Sequence, residues 1–183
     1  MKKLIAFLLI MNFTCSMAMG QRGRRSMTTN PNSGYANFNE VAAGYGLSGT
    51  TLPNSEYFYG ATTTHGYQLN IYGLNINRSF FAGIGTGALF YEKVLYIPLS
   101  FNLRFIWNTG KVSPYITGDG GFLFNPDDLD RKTLTLINGG GGVQFKINKN
   151  FFVNLGTGLG VQMGLDGRRS FINAKLGLGF KAR

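Results

Sequence analysis

The sequence offers little to build reactive chemistry from. His65 is its only histidine. Ser48 and Ser55 stand at distances from which a loop can bring a hydroxyl to it, and Glu56 or Glu92 can orient the imidazole, the parts a histidine-activated serine nucleophile requires. Nothing in the spacing ties these residues together, and a lone histidine at a strand end is more often a polar boundary residue, so no catalytic residue is assigned. Asp127, Asp128 and Asp130 form an acidic group without the regular ligand spacing of a calcium loop, and a solvated loop accounts for them. No metal or cofactor is expected.

Five charged residues stand out because they interrupt otherwise uncharged, alternating segments: Glu40, Arg104, Asp119, Lys146 and Lys175. They are expected to share one interior, where opposite charges pair and are held in a hydrogen-bonded polar network. An ion pathway is the competing reading of the same residues. Tyr57, Phe58 and Tyr59 fall in a predicted exposed loop with Leu52, and exposed rings of that kind serve as contact sites.

The N-terminus reads as an export signal. Lys2 and Lys3 precede an apolar run from Leu4 to Phe13, about half the length a spanning helix needs, and Ala18-Met19-Gly20 supplies small residues for cleavage. The expected organisation is a signal peptide over residues 1–20, a flexible leader over 21–39 containing Arg22, Arg24 and Arg25, and one folded domain over 40–183. Cys15, the only cysteine, lies in the signal, so disulfides and thiolate metal sites drop out; the residues before it do not favour lipoprotein processing. Without Lys2 and Lys3 the formal charge falls from +10 to +8. In an exported chain that excess is not expected to bind nucleic acid.

Twenty-seven glycines with 16 phenylalanines and 9 tyrosines oppose helix formation. Instead, apolar residues recur at a period of two. Leu95, Ile97, Leu99, Phe101, Leu103, Phe105 and Trp107 share one face, as do Phe151 to Met163 and Ile172 to Phe180 by odd and even positions, while the alternate positions are glycine, Asn, Gln, Ser and single charges. Val143, Phe145 and Ile147 likewise oppose Gly142, Gln144 and Lys146, and weaker alternation occupies Glu40 to Ser48, His65 to Ile76, Phe80 to Tyr91 and Pro114 to Phe124, eight segments in all. Tight connections are expected at Asn77-Arg78-Ser79, Asn108 to Lys111 and Asn148-Lys149-Asn150, and long ones over residues 49–64 and 125–132.

A water-soluble sandwich covers its outside with charge, yet only 14% of this chain is charged. A small barrel in lipid reverses the arrangement: apolar residues face out, and small or polar ones face a narrow lumen. Gly83, Gly85, Gly87, Gly156, Gly158 and Gly160 suit that crowding. Phe80, Trp107, Tyr115 and Phe151 at one end, and Phe90, Tyr91, Phe122 and Phe124 at the other, suit two interfacial girdles. The expected fold is an all-β, eight-stranded, antiparallel, up-and-down transmembrane β-barrel.

The segment Leu95–Phe105 (LYIPLSFNLRF), the turn and strand Gly110–Gly121 (GKVSPYITGDGG) and the closing strand resemble the small outer-membrane β-barrel family of OmpA-transmembrane and OmpX type, over about Glu40 to Phe180. The resemblance implies a bacterial outer-membrane location, contact with outer-membrane lipid and lipopolysaccharide, and a structural or adhesive role without catalysis. Its alternatives are a narrow channel or carrier for small solutes or lipids, or a lipid A-modifying enzyme. His65-Gly66-Tyr67 departs from the deacylase pattern, which carries a serine two residues after histidine. Lys175-x-Gly177-x-x-Phe180 is similar to the C-terminal signal read by the barrel-insertion machinery, although Ala182 stands where a second aromatic is usual. An external ligand is left unnamed by the residues.

Overall fold

In the computed structural model the chain is described at residues 33–47, 56–73, 76–92, 94–127, 133–164 and 167–182. The predicted signal peptide, most of the leader, Ser48, Leu52, Ser55, Asp128 and Asp130 lie outside these residues. The elements are β1 (Gly34–Gly46), β2 (Tyr57–Gly73), β3 (Ile76–Tyr91), β4 (Val94–Trp107), β5 (Val112–Phe124), β6 (Leu134–Lys146), β7 (Phe151–Gly164) and β8 (Gly167–Lys181). Each pairs antiparallel with its sequence neighbours, and β1 pairs with β8 to close the barrel. No described helix is long and apolar enough to cross a membrane.

Closure is staggered. Successive cross-strand partners from Asn37 run through His65, Ile84, Phe101, Gly120, Ile137, Val161 and Ser170. They return to β1 at Leu47, whose N–H donates to the Ser170 carbonyl, ten positions above the start at 37. A stagger of that size tilts the strands by about 45° from the barrel axis, so each residue climbs roughly 2.4 Å along it.

Turn chemistry defines one end. At 108–111 the Thr109 hydroxyl donates to the Val112 carbonyl at 2.5 Å, and Gly110 takes φ 124°, a left-handed conformation that favours glycine. At 147–150 the Asn148 side-chain oxygen accepts from the N–H groups of Asn150 and Phe151, an Asx turn. Gly34 and Lys181 lie at this same end.

Strand boundaries differ from the expectation in three places. β1 starts at Gly34, so residues 34–39 belong to the barrel and not to the leader. Asn77-Arg78-Ser79 is paired inside β3, because the ladder continues to Gly73 opposite Ile76; the asparagine and serine read as turn residues, but cross-strand pairing overrides that local preference. Tyr57-Phe58-Tyr59 opens β2 and is not a loop.

The faces separate as the alternation requires. Val41, Ile84, Phe101, Ile116, Ile137, Leu159 and Leu178 are large, apolar and exposed on the outer wall. Phe38, Phe81, Asn102, Arg104, Leu123, Asn154 and Phe171 are buried inside. This is the inside-out distribution of a barrel built for a hydrocarbon surround, with every neighbouring strand paired so that no sheet edge meets lipid.

Candidate functional site: a filled lumen and a polar outer wall

Lumen packing begins with glycine. A Cβ at Gly179 would overlap the Phe152 ring, one at Gly44 would overlap Phe58, and those at Gly142 and Gly156 would press on the Tyr115 hydroxyl. These positions are small because aromatic rings from neighbouring strands occupy the space across from them.

Three layers result. At the end away from the tight turns, Phe58, Tyr91, Tyr96, Leu123, Leu134 and Phe171 form an apolar cluster. The rings of Phe58 and Tyr91 stack at 5.0 Å, Phe171 meets Phe58 edge-on at 5.3 Å, and Gln162 donates its amide to the Tyr91 hydroxyl. Toward the turns, Phe38 contacts Phe81 at 4.7 Å and Phe152 at 5.2 Å.

Between these plugs lie the charges. Arg104 donates from Nη2 to Glu40 Oε1 at 3.0 Å, with side chains only 2% and 5% exposed. Its guanidinium sits over the rings of Phe38 at 4.1 Å and Tyr115 at 4.7 Å, so aromatic faces stabilise the buried cation. Lys175 donates from Nζ to Asp119 Oδ2 at 2.8 Å. Asn138 donates to the same oxygen at 2.7 Å, Asn102 donates to Asp119 Oδ1, and Asn173 donates to Asn138 at 2.8 Å. The space left beside this network is a cavity of about 70 Å³, enough for a small cluster of waters.

Four of the five charged residues singled out from the sequence therefore meet in two adjoining ion pairs. Lys146 does not join them: it has inward parity but stands exposed at the turn end, where it donates to Asn108 at 3.4 Å. Lys175 and Gly177 face the lumen, Gly177 against Glu40, whereas Phe180 faces out against Phe151 at 5.1 Å. Of the aromatic trio, Tyr57 and Tyr59 are exposed on the outer wall, Tyr59 stacked on Phe90 at 5.6 Å, and Phe58 is buried in the lumen. Two presumed girdle residues, Tyr91 and Tyr115, are also lumen residues, at 1% and 3% exposure, because their odd parity on β3 and β5 turns them inward. Trp107 and Phe105, Phe80, Phe145, Phe151 and Phe180 remain at the turn end, with Tyr45, Tyr57, Tyr59, Phe90, Phe122 and Phe124 at the other.

His65 is not at a strand end. It lies midway along β2, facing outward, because β2 begins eight residues before it. The Tyr35 hydroxyl lies 2.5 Å from its Nδ1, the Thr63 hydroxyl 3.1 Å from its Nε2, and Asn37 Nδ2 within 3.3 Å of both ring nitrogens. Thr63 and His65 thus have the reach of a nucleophile and its base, but the partner that orients the imidazole is a phenol and not a carboxylate. Thr63 is four residues below Tyr59, about 10 Å along the axis. That depth in the apolar band is well removed from where ester groups of lipids sit. Sequence reasoning missed this outer-wall group: Asn37 and Asn39 were assigned to the leader, and their position opposite His65 and Thr63 is a matter of register.

The fold defines the class: a closed, eight-stranded, antiparallel barrel of transmembrane type with a filled interior. The crystal structure of Neisserial surface protein A is similar, with a TM-score of 0.52 and 12% identity, covering 81% of this chain and 98% of that one. The N-terminal β-barrel domain of Pseudomonas aeruginosa OprF matches more loosely, with a TM-score of 0.41 and 17% identity over 79% of this chain and 97% of that one. No protein-family model and no curated protein matches the chain. At these identities the likeness to Neisserial surface protein A speaks to fold alone.

Proposed function

We propose that this protein is an exported, non-enzymatic barrel of a bacterial outer membrane, a sealed and rigid anchor that presents its inter-strand loops outward for structural or adhesive contact. The observation that carries this reading is the obstruction of the lumen at three successive levels. A carrier or channel needs a continuous polar path. Here Phe38, Phe81 and Phe152 close the turn end, the Glu40–Arg104 and Asp119–Lys175 pairs tie up four interior charges between the plugs, and the Phe58–Tyr91–Phe171 cluster closes the other end.

The membrane setting is supported by the outer wall, where large apolar side chains stand exposed between two aromatic rings of residues, as lipid contact requires. Outer-membrane lipid and lipopolysaccharide are the surroundings this wall suits. The β8 pattern Lys175-x-Gly177-x-x-Phe180 is the segment we assign to recognition by the barrel-insertion machinery. The tight turns and strand ends Gly34 and Lys181 then face the periplasm, and the opposite strand ends, Gly46 and Tyr57 among them, face the cell exterior.

Planar-bilayer recording of the purified, folded protein tests the reading. A sealed anchor gives no stepwise conductance, and replacing plug residues together (Phe38→Ala with Phe152→Ala) is expected to introduce it. Steady unitary conductance in the unaltered protein would instead favour the channel reading.

A further inference from the structure

The outer wall carries a feature that lipid does not explain. Among the described residues, Asn37, Asn39 and His65 are the only amide or imidazole side chains pointing outward between the two aromatic girdles. They are cross-strand neighbours, Asn37 opposite His65 and Asn39 opposite Thr63, with Thr86 opposite Thr63 on β3. Asn37 is only 2% exposed, donating to the Thr63 hydroxyl at 3.1 Å and to the Thr64 carbonyl at 3.2 Å, and it accepts from the Asn39 amide. Asn39 itself is exposed, and that bond uses one of its N–H donors. Among the described residues, nothing takes its second N–H or its oxygen.

An amide held in hydrocarbon with unused donor and acceptor is costly, and in membranes such groups join spanning segments to one another. The surroundings permit close approach. On the same wall, Ala43 pairs with Ala174 and Ala61 pairs with Ala88, a notch of small residues above the polar group between the projecting side chains of Val41, Leu176, Leu178 and Ile84. Asn39 lies inside the apolar band, roughly 15 Å along the axis below Tyr45 and two positions above Asn37, the partner of the turn-end girdle residue Phe180.

We propose that this wall of β8, β1, β2 and β3 is the interface of a homodimer, with a second copy of the chain supplying the partners for Asn39 and Thr63 across a two-fold axis parallel to the barrel. The choice of a second copy rests on chemistry. The group is uncharged, and amides and hydroxyls both donate and accept, so the surface is complementary to itself, as an isologous contact demands. A charged partner has nothing to pair with here. The inference rests on the membrane-embedded reading above.

The test is disulfide trapping in native membranes, in a Cys15→Ser background. Ala61→Cys, beside the polar group, is compared with Ile137→Cys on β6, on the opposite wall, and the electrophoretic shift between boiled and unboiled samples reports folding in the same membranes. The expected result is a species of twice the monomer mass, at least tenfold more abundant for Ala61→Cys. Adding Asn39→Leu and Thr63→Val should reduce it at least tenfold while the folding shift persists. Equal or absent trapping at the two positions, a product of another mass, or trapping that survives the added substitutions overturns the dimer. Absence of the protein from the membrane fraction would overturn the membrane reading instead, so the two failures are distinguishable.

Discussion

Arg104 holds its charge where water is scarce. One guanidinium nitrogen donates to Glu40 while two aromatic rings cover the flat faces, and this arrangement works only while the Glu40 carboxyl group stays in place. Glu40→Gln leaves a cation without its counter-charge, and removing one partner of a buried pair costs about 3–5 kcal/mol. A lowered urea midpoint of the detergent-folded barrel should show it. Replacing both partners, Glu40→Leu with Arg104→Met, is expected to recover most of the loss, because two apolar side chains need no compensation. Gly179 makes a steric version of the same argument: a methyl group there meets the Phe152 ring across the strand pair. Gly179→Ala should cost about 1–3 kcal/mol by overpacking. Adding Phe152→Leu should return a measurable part of it in the same denaturation assay, since the two positions share one space.

Along the strands, proline decides where the cylinder is weakest. Pro98 faces the lumen on β4, and the β3–β4 ladder, continuous from Arg78 opposite Trp107 to Thr86 opposite Leu99, resumes only at Leu89 opposite Tyr96. Proline has no N–H to give, so the seam is interrupted there. Hydrogen exchange measured by mass spectrometry is expected to be faster over residues 87–88 and 97 than over the unbroken β7–β8 seam, where pairing runs from Phe151 to Gly164. The ends of the strands carry a second expectation. Trp107 is the only tryptophan, packed edge-on against Phe105 at 4.8 Å next to the 108–111 turn. Aromatic belts settle at headgroup level. Trp107 emission should therefore be quenched more strongly by lipids brominated near the headgroup than by those brominated near the chain end; the reverse order would place the strand end deep in the bilayer.

For the whole molecule, closure is the property that matters, since every strand is paired on both sides and unfolding has no edge at which to begin. The folded protein is expected to keep a compact mobility in unboiled dodecyl sulfate samples and to shift on boiling. A variant whose β1–β8 seam is cut, such as Val41→Pro, removes a ladder donor between two central partners and should lose the compact form at a lower temperature than the parent. The stagger of ten positions has a further consequence: it sets the wall that carries Asn39 and Thr63 obliquely across the barrel, with alanines above and Leu178 and Phe180 beside it.

Much of this architecture is legible in the amino-acid order because a strand's two faces alternate with a period of two, and lipid outside with rings and amides inside leaves that alternation nowhere to hide. The runs Leu95 to Trp107 and Phe151 to Met163 announce their outward face residue by residue, and single charges on the alternate face of small and polar residues point to Glu40, Arg104, Asp119 and Lys175 as interior. Lys146 carries the same local signature yet ends at a mouth, since how far along the axis a residue lies depends on strand length and tilt. The same limit applies to Tyr91 and Tyr115: an aromatic near a strand end looks like a girdle residue until parity against its partners turns it inward. Asn37, Asn39, Thr63 and His65 are the clearest case. They are far apart in the chain, and each alone resembles linker or strand-end residues. Only the β1–β2 register, fixed by closure against β8, places them side by side on a wall that faces hydrocarbon.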